Sequence, residues 1–148
     1  STIDFLDFPD MKLDTIEHLE LNKKIEVVIK KYNPEVVFTT PDNDLNLDHK
    51  LLHESTLIVT RPQSSNVKQI LCYEIPGIVK TPFFPNIYED VSKYFDFKIR
   101  AFKKYKSEIE KFPHPRSVET LTSLAKLRGS ESNLKMAEAF TLIREIIY

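Results

Sequence analysis

Side chains that bind metals or move protons are crowded into the segment NDLNLDHKLLHEST, which runs from Asn43 to Thr56. It contains two Asp, two His and two Asn residues. Imidazole and carboxylate groups are suitable zinc ligands, and a carboxylate beside a ligating imidazole can orient its ring. The same residues also fit an Asx-rich turn followed by a helix cap and a surface histidine. On spacing alone this second interpretation is favoured, because His49 with Asp42, Asp44 and Asp48 near it in sequence is weak evidence for a metal.

The elements predicted on either side of this segment determine where it lies. The run EVVFTT, residues 35–40, is rich in β-branched residues and predicts a buried strand. Asn46 is expected to cap a helix that starts near Leu47 and ends before Arg61-Pro62. In open α/β sheets, ligands bind beyond the carboxyl ends of the strands. We therefore expect the polar residues of the loop 42–49 to lie at that edge of the sheet.

The rest of the chain alternates between predicted helices and strands, which indicates an α/β fold. Asp14 and Glu17 resemble a capping box for an amphipathic helix that ends at Asn33-Pro34. A strand is expected over 67–75, a Pro-rich ordered loop with a short extended piece over 76–90, and a helix with a basic outer face over 96–112. Ser117 is expected to cap a helix that Gly129 ends, and residues 136–148 fit either a helix or a strand.

Composition and charge exclude several classes of function. The 148 residues carry a net charge of -1, so no bulk attraction to nucleic acid or anionic lipid is expected. Only Gly77 and Gly129 are glycines, so a glycine-rich phosphate loop is absent from the sequence. The sequence also lacks an apolar run of the length that spans a membrane. The single cysteine, Cys72, suits a reducing compartment, and we expect a cytoplasmic protein.

A family resemblance adds a specific function to these patterns. The stretch VVFTTPDNDLNLDHKLLHEST resembles the second signature of the zinc-dependent de-N-acetylases, the family of N-acetylglucosaminyl-phosphatidylinositol deacetylase and the LmbE-like proteins. That signature is a strand followed by H/N-x-D-H at the start of a helix. The stretches RPQSSNVKQILCYEIP, FFPNIYEDVS and FPHPRSVETLTSLAKLRGSES also resemble bacterial members, in the same order. The resemblance therefore covers nearly the whole chain, which we interpret as a single domain over residues 1–148.

The resemblance implies a hydrolase that removes an N-acetyl group from an amino sugar or glycolipid with a zinc-activated water. The last histidine of the signature, His49, is implied as a zinc ligand, and Asp48 as the residue that supports it. The implied fold is a Rossmann-like three-layer sandwich with a mostly parallel sheet. The family's A-H-P-D-D-E motif follows the first strand and carries the other two zinc ligands and the catalytic base, and this sequence does not contain it. We therefore expect an N-terminally incomplete family domain that binds zinc weakly by itself.

A second departure from the family pattern concerns proton transfer. Many members have His at the first position of the signature, where this chain has Asn46, which can stabilise an oxyanion but cannot act as a general acid. His114 of FPHPRS is therefore a candidate proton donor, with a rigid interhelical turn as an equally weighted alternative. Arg116 and Asp44 are the candidate substrate-binding residues.

His53 is expected on the flank of its helix and His18 in solvent, neither of them a metal ligand. The alternative function is a non-catalytic carbohydrate-binding or interaction module that has the same fold without the metal. A missing first strand would leave an apolar sheet edge or face, so we also expect self-association, as a homo-oligomer or an aggregate.

Overall fold

The computed structural model of the protein describes residues 2–77 and 80–147, so residues 78 and 79 of the predicted Pro-rich loop lie outside the described residues. A 3-10 turn at Leu13–Thr15 precedes α1 (His18–Tyr32), β1 (Val36–Thr39), α2 (Leu47–Val59), β2 (Gln69–Tyr73), β3 (Ile87–Asp90), α3 (Phe95–Phe102), α4 (Val118–Glu131) and β4 (Ala137–Glu145). The strands form a mixed sheet in the order β1-β2-β4-β3. β1 and β2 are parallel, whereas β3 and β4 are antiparallel. The predicted α/β class is confirmed, and the ambiguous C-terminal segment forms a strand.

The chain divides into two compact units. The first lies within Ser1–Tyr73, Val79–Phe83 and Leu142–Tyr148, and it contains α1, β1, α2 and β2. The second lies within Glu74–Ile78 and Phe84–Thr141, and it contains β3, α3 and α4. Each helix in the described part of the chain is too short or too polar to traverse a lipid bilayer.

In the first unit, α1 ends where the sequence predicts and begins later than predicted. Asn33 adopts a left-handed conformation (φ 45°) and its N–H bonds to Ile29 O, which closes the helix before Pro34. The predicted capping box is wrong, because Glu17 makes no side-chain cap bond and Asp14 lies in the preceding 3-10 turn. The N–H of Leu13 in that turn bonds to Asp48 (3.0 Å), a long-range contact that local sequence patterns do not contain.

Parallel pairing of β1 and β2 sets the position of the polar loop. The register runs from Val36 opposite Gln69 to Thr39 opposite Cys72. Three residues of β2 are nearly inaccessible to solvent and form part of the core: Ile70, Leu71 and Cys72. The side chains of Val36 and Phe38 on β1 are instead about half exposed (44% and 54%). Beyond Thr39 the chain leaves the ladder and enters the loop that leads to α2, as the sequence predicts.

In the second unit, the predicted helix over 96–112 is wrong in length. α3 ends at Phe102, and a series of turns follows. Phe95 is buried and Ile99 and Phe102 are half-buried, but residues 103–108 are all exposed. An isolated helix without a buried face is marginal in water, so no packing extends α3 through this basic stretch. Ser117 caps α4 as predicted, with its side chain accepting from Thr120 N–H, and the helix continues past Gly129 to Glu131.

Candidate functional site

Asn46 fixes the start of α2. Its backbone is extended (φ -67°, ψ 119°), and its Oδ1 accepts hydrogen bonds from the backbone N–H groups of Asp48 (2.8 Å) and His49 (3.4 Å). This confirms the predicted cap and helix start. The amide Nδ2 of Asn46 donates to Met11 Sδ at 3.4 Å, a weak acceptor. The side-chain oxygen of Asn46 is thus occupied by the helix, and a role of Nδ2 in binding an oxyanion stays a prediction.

The His49 ring, in the first turn of α2, is held by Asp44. Nδ1 of His49 lies 2.7 Å from Asp44 Oδ2, while Asp44 Oδ1 accepts the N–H of Asn46 at 2.8 Å. Burial by itself raises the pKa of Asp44, but the hydrogen bonds from Asn46 and His49 outweigh burial and leave that pKa below its usual value. A charged carboxylate only accepts hydrogen bonds, so Nδ1 carries a proton, and in the neutral ring the lone pair is then on Nε2. Histidine ligates metals in this arrangement, with a carboxylate behind the ring.

Asp48 makes a different contact from the one that the resemblance implies. Its Oδ1 accepts the N–H of Leu13 at 3.0 Å and so ties the 3-10 turn to the start of α2. Asp44 rather than Asp48 is the carboxylate bonded to the His49 ring. The sequence does contain a signal for the contact of Asp44 with His49. Asp44 and Asn46 have the spacing of an Asx turn, which directs the Asp44 carboxylate toward the start of α2. The roles of Asp48 in catalysis and of Asp44 in binding substrate stay predictions.

The other two histidines of the first unit are corrections to the sequence interpretation. His53, predicted on the flank of α2, is buried (7% exposed), and its Nδ1 lies 2.8 Å from Thr40 O. His18, predicted in solvent, is half-buried and shares a hydrogen bond of 2.9 Å with Ser55 Oγ. The partner of His18 is a hydroxyl on α2 and the partner of His53 is a backbone carbonyl after β1, and the apolar periodicity of the sequence contains neither.

His114 and Arg116 belong to the second unit. Nδ1 of His114 accepts the backbone N–H of Arg116 at 3.1 Å, and its carbonyl accepts the Thr120 hydroxyl at 3.1 Å. The guanidinium of Arg116 forms an ion pair with Glu108. These contacts fit the alternative interpretation of this segment, a rigid interhelical turn. The predicted roles of His114 in proton transfer and of Arg116 in substrate binding stay predictions.

His49 is the imidazole of the family signature, and its ring is oriented by Asp44. Within residues 2–77 and 80–147, no three His, Cys, Asp or Glu side chains converge as a metal site requires. Catalytic zinc takes three protein ligands and leaves one position open. His49, with the Asp44 carboxylate bonded to its Nδ1, fits one of those ligand positions through Nε2. The described residues therefore fit part of a zinc site and do not form a whole one.

Comparison with protein families matches the part of the chain that carries this imidazole. Residues 1–60, which include β1, Asp44, Asn46 and His49, match the PIG-L family, described as GlcNAc-PI de-N-acetylase. The family resemblance predicted from the sequence is thereby confirmed for this part of the chain. No curated protein sequence matches the chain.

Solved structures share the fold over almost the whole chain. The conserved protein TT1542 from Thermus thermophilus superposes with a TM-score of 0.78 at 23% identity, covering 99% of this chain and 69% of its own. N,N'-diacetylchitobiose deacetylase from Pyrococcus horikoshii gives 0.74 at 16% identity, covering 97% of this chain and 58% of its own. GalB, the 4-carboxy-2-hydroxymuconate hydratase from Pseudomonas putida, gives 0.67 at 17% identity, covering 88% and 60%. At these identities the likeness shows the fold alone.

Proposed function

We propose that the chain is part of a hydrolase that removes an N-acetyl group from an amino sugar or glycoconjugate, with zinc as its cofactor. The observation that carries the proposal is the His49 ring, whose Nδ1 is bonded to Asp44, so that Nε2 of the neutral ring could bind a metal. The match of residues 1–60 to the GlcNAc-PI de-N-acetylase family covers this histidine and supports the assignment. The fold shared with a diacetylchitobiose deacetylase is compatible with the same activity.

The residues of this chain have defined tasks in the proposed site. His49 would hold the metal through Nε2, and the bond to Asp44 favours the tautomer in which this nitrogen is unprotonated. Asn46 fixes the first turn of α2, and thereby the backbone from which His49 projects. Zinc, when bound, supplies a water of lowered pKa and polarises the acetamido carbonyl. Protonation of the leaving amine by His114 stays a prediction from the sequence.

A second candidate function is a carbohydrate-binding or interaction module without catalysis. The fold itself favours neither candidate, because its solved relatives include a deacetylase and a hydratase. In this second case the His49–Asp44 pair would stabilise the loop without holding a metal.

The test is amine release from N-acetylated amino sugars by the intact protein, before and after chelation. We expect activity that zinc restores, and its loss together with zinc stoichiometry in His49→Ala. Glu54→Ala changes an exposed residue of the same helix and should leave both unchanged. Sugar binding without amine release, unaffected by His49→Ala, would instead establish the binding module.

A further inference from the structure

The residue directly after β1, Thr40, has a buried backbone carbonyl that lies beyond the β1–β2 ladder. Thr39 and Cys72 are the last pair of the β1–β2 register, and Thr40 follows beyond it. Thr40 is only 2% exposed, so its carbonyl oxygen needs a donor from the protein. His53 on α2 donates from Nδ1 at 2.8 Å, and the Cys72 thiol on β2 donates at 3.4 Å. Side chains from two elements therefore converge on one peptide oxygen.

The hydroxyl of the same threonine continues the connection to α2. Thr40 Oγ1 donates to the backbone carbonyl of His49 at 2.7 Å. Thr40 is thus bonded to α2 twice, through the backbone of His49 and through the side chain of His53. The two bonds lie one helical turn apart, so together they fix both the distance and the rotation of the first turn relative to the end of β1.

We propose that His53 is a positioning residue for His49. Its Nδ1–H holds the Thr40 carbonyl, Thr40 in turn holds the first turn of α2, and the turn sets the distance from the His49 ring to Asp44. This inference rests on the proposed function, in which His49 presents Nε2 to a metal. It also gives a task to a histidine that the sequence interpretation places on the flank of α2.

A histidine that merely fills the core differs from a positioning residue in what can replace it. If His53 only fills space, an apolar side chain of similar size serves equally well. If the Nδ1–H bond matters, a side chain with a donor at that place is required. His53→Asn puts an amide N–H near the position of Nδ1, His53→Gln carries its amide out toward Nε2, and His53→Leu has no donor. The three variants separate the hydrogen bond from the volume.

The experiment uses the intact protein and reads the tautomer of His49 by ¹⁵N NMR of its imidazole, with kcat, KM and zinc affinity measured in parallel. We expect His53→Asn to retain the wild-type tautomer and kcat. His53→Gln and His53→Leu should shift the His49 signals and lower zinc affinity or kcat by about 10- to 100-fold, the range found for partners that orient metal ligands. KM should change little, because His53 acts on His49 rather than on substrate.

A second pair of variants tests the same connection from its other end. Thr40→Val removes the hydroxyl and keeps the backbone carbonyl, whereas Thr40→Ser keeps both. We expect Thr40→Val to act like His53→Leu and the double variant to lose no more than the larger single loss, since both changes interrupt one connection. Cys72→Ala should have a smaller effect, because a thiol is a weak donor and His53 remains.

Equal His49 signals and equal kcat in His53→Asn and His53→Leu would overturn the positioning role. So would additive losses for Thr40→Val and His53→Leu. The tautomer is measured without substrate or metal, so its outcome stands even if the intact protein releases no amine from any acetylated sugar. That second result would refute the proposed function and leave the positioning of His49 tested by itself.

Discussion

Replacing Asp44 with Asn should reverse the proton position on the His49 ring. In the native protein, the Asp44 carboxylate accepts from Nδ1–H at 2.7 Å. Asp44→Asn keeps one oxygen, which can still accept the Asn46 N–H that Oδ1 now binds at 2.8 Å. The amide NH₂ then faces Nδ1, and two donors cannot bond to each other. The ring is expected to move its proton to Nε2 and to lose the lone pair that a metal needs.

The size of this effect follows from the geometry of the pair. The Asp44 side chain is 10% exposed and that of His49 is 34% exposed, so water competes only partly for this bond. A hydrogen bond to a charged group contributes about 1.5–3 kcal/mol. That range corresponds to a roughly 10- to 150-fold preference for the native tautomer. Loss of this preference should be visible as a change of the dominant species rather than as a small shift in population.

The assay is ¹⁵N NMR of the imidazole in the metal-free protein, which distinguishes protonated from unprotonated ring nitrogens. Asp48→Asn is the matched control, because Asp48 is close in sequence but bonds to Leu13 N–H instead of the ring. Wild type and Asp48→Asn should show a protonated Nδ1, and Asp44→Asn a protonated Nε2. A tautomer change in Asp48→Asn, or none in Asp44→Asn, would refute the assignment of Asp44 as the orienting carboxylate.

Acid titration gives an independent reading of the same pair. The pKa of Asp44 is lowered in the folded protein, so its contribution to stability is complete above its unfolded value of about 3.9. That contribution should disappear as pH falls through the lowered folded pKa. The free energy of unfolding of wild type should therefore decrease in this acid range more steeply than that of Asp44→Asn. Equal slopes for the two proteins would contradict the lowered pKa.

Two further predictions concern the second unit, and chemical unfolding in urea checks both. Glu74→Gln should lower the free energy of unfolding by about 3 kcal/mol, because it removes one partner of the Arg128–Glu74 ion pair (2.5 and 2.8 Å, side chains 12% and 11% exposed). Glu131→Gln, which removes the more exposed partner of Arg128, should lower it by under about 1 kcal/mol, and equal losses would contradict the difference in burial. Gly129→Ala should destabilise the protein by about 1–3 kcal/mol although Ala favours helices, because its Cβ would lie 2.6 Å from the Leu134 carbonyl oxygen. A stabilised variant would show that the chain after α4 can move away from this Cβ.

The start of α2 was predictable because its determinants are local. Asn46 caps the helix through atoms two and three residues away, and the strand before it is a short β-branched run. The placement of the polar loop beyond β1 then follows from a general rule of α/β sheets. Sequence patterns are reliable where the contacts that decide the structure are near in sequence.

The partners of the individual side chains were not predictable in the same way. Asp48 was assigned to His49 through the family resemblance, but its carboxylate bonds to Leu13, 35 residues away in sequence. α3 was predicted too long because its charged extension has helix-forming residues, and no sequence pattern shows that 103–108 find no buried surface. Both differences between sequence and structure share one cause, namely tertiary contacts that override local preference.

The chemistry of the chain consequently depends on hydrogen-bond partners more than on its fold. The same fold occurs in a diacetylchitobiose deacetylase and in a hydratase, so its presence does not select a reaction. In the proposed site the metal ligand is the unprotonated nitrogen of His49, and the bond to Asp44 determines which nitrogen that is. His53 and Thr40 decide in turn whether His49 lies within reach of Asp44. The Asp44→Asn and His53→Leu variants should both change the protonation of the His49 ring nitrogens, the first by removing the acceptor and the second by moving the ring. The same change in the ¹⁵N signals of both variants would test this chain of contacts more strictly than loss of activity in either.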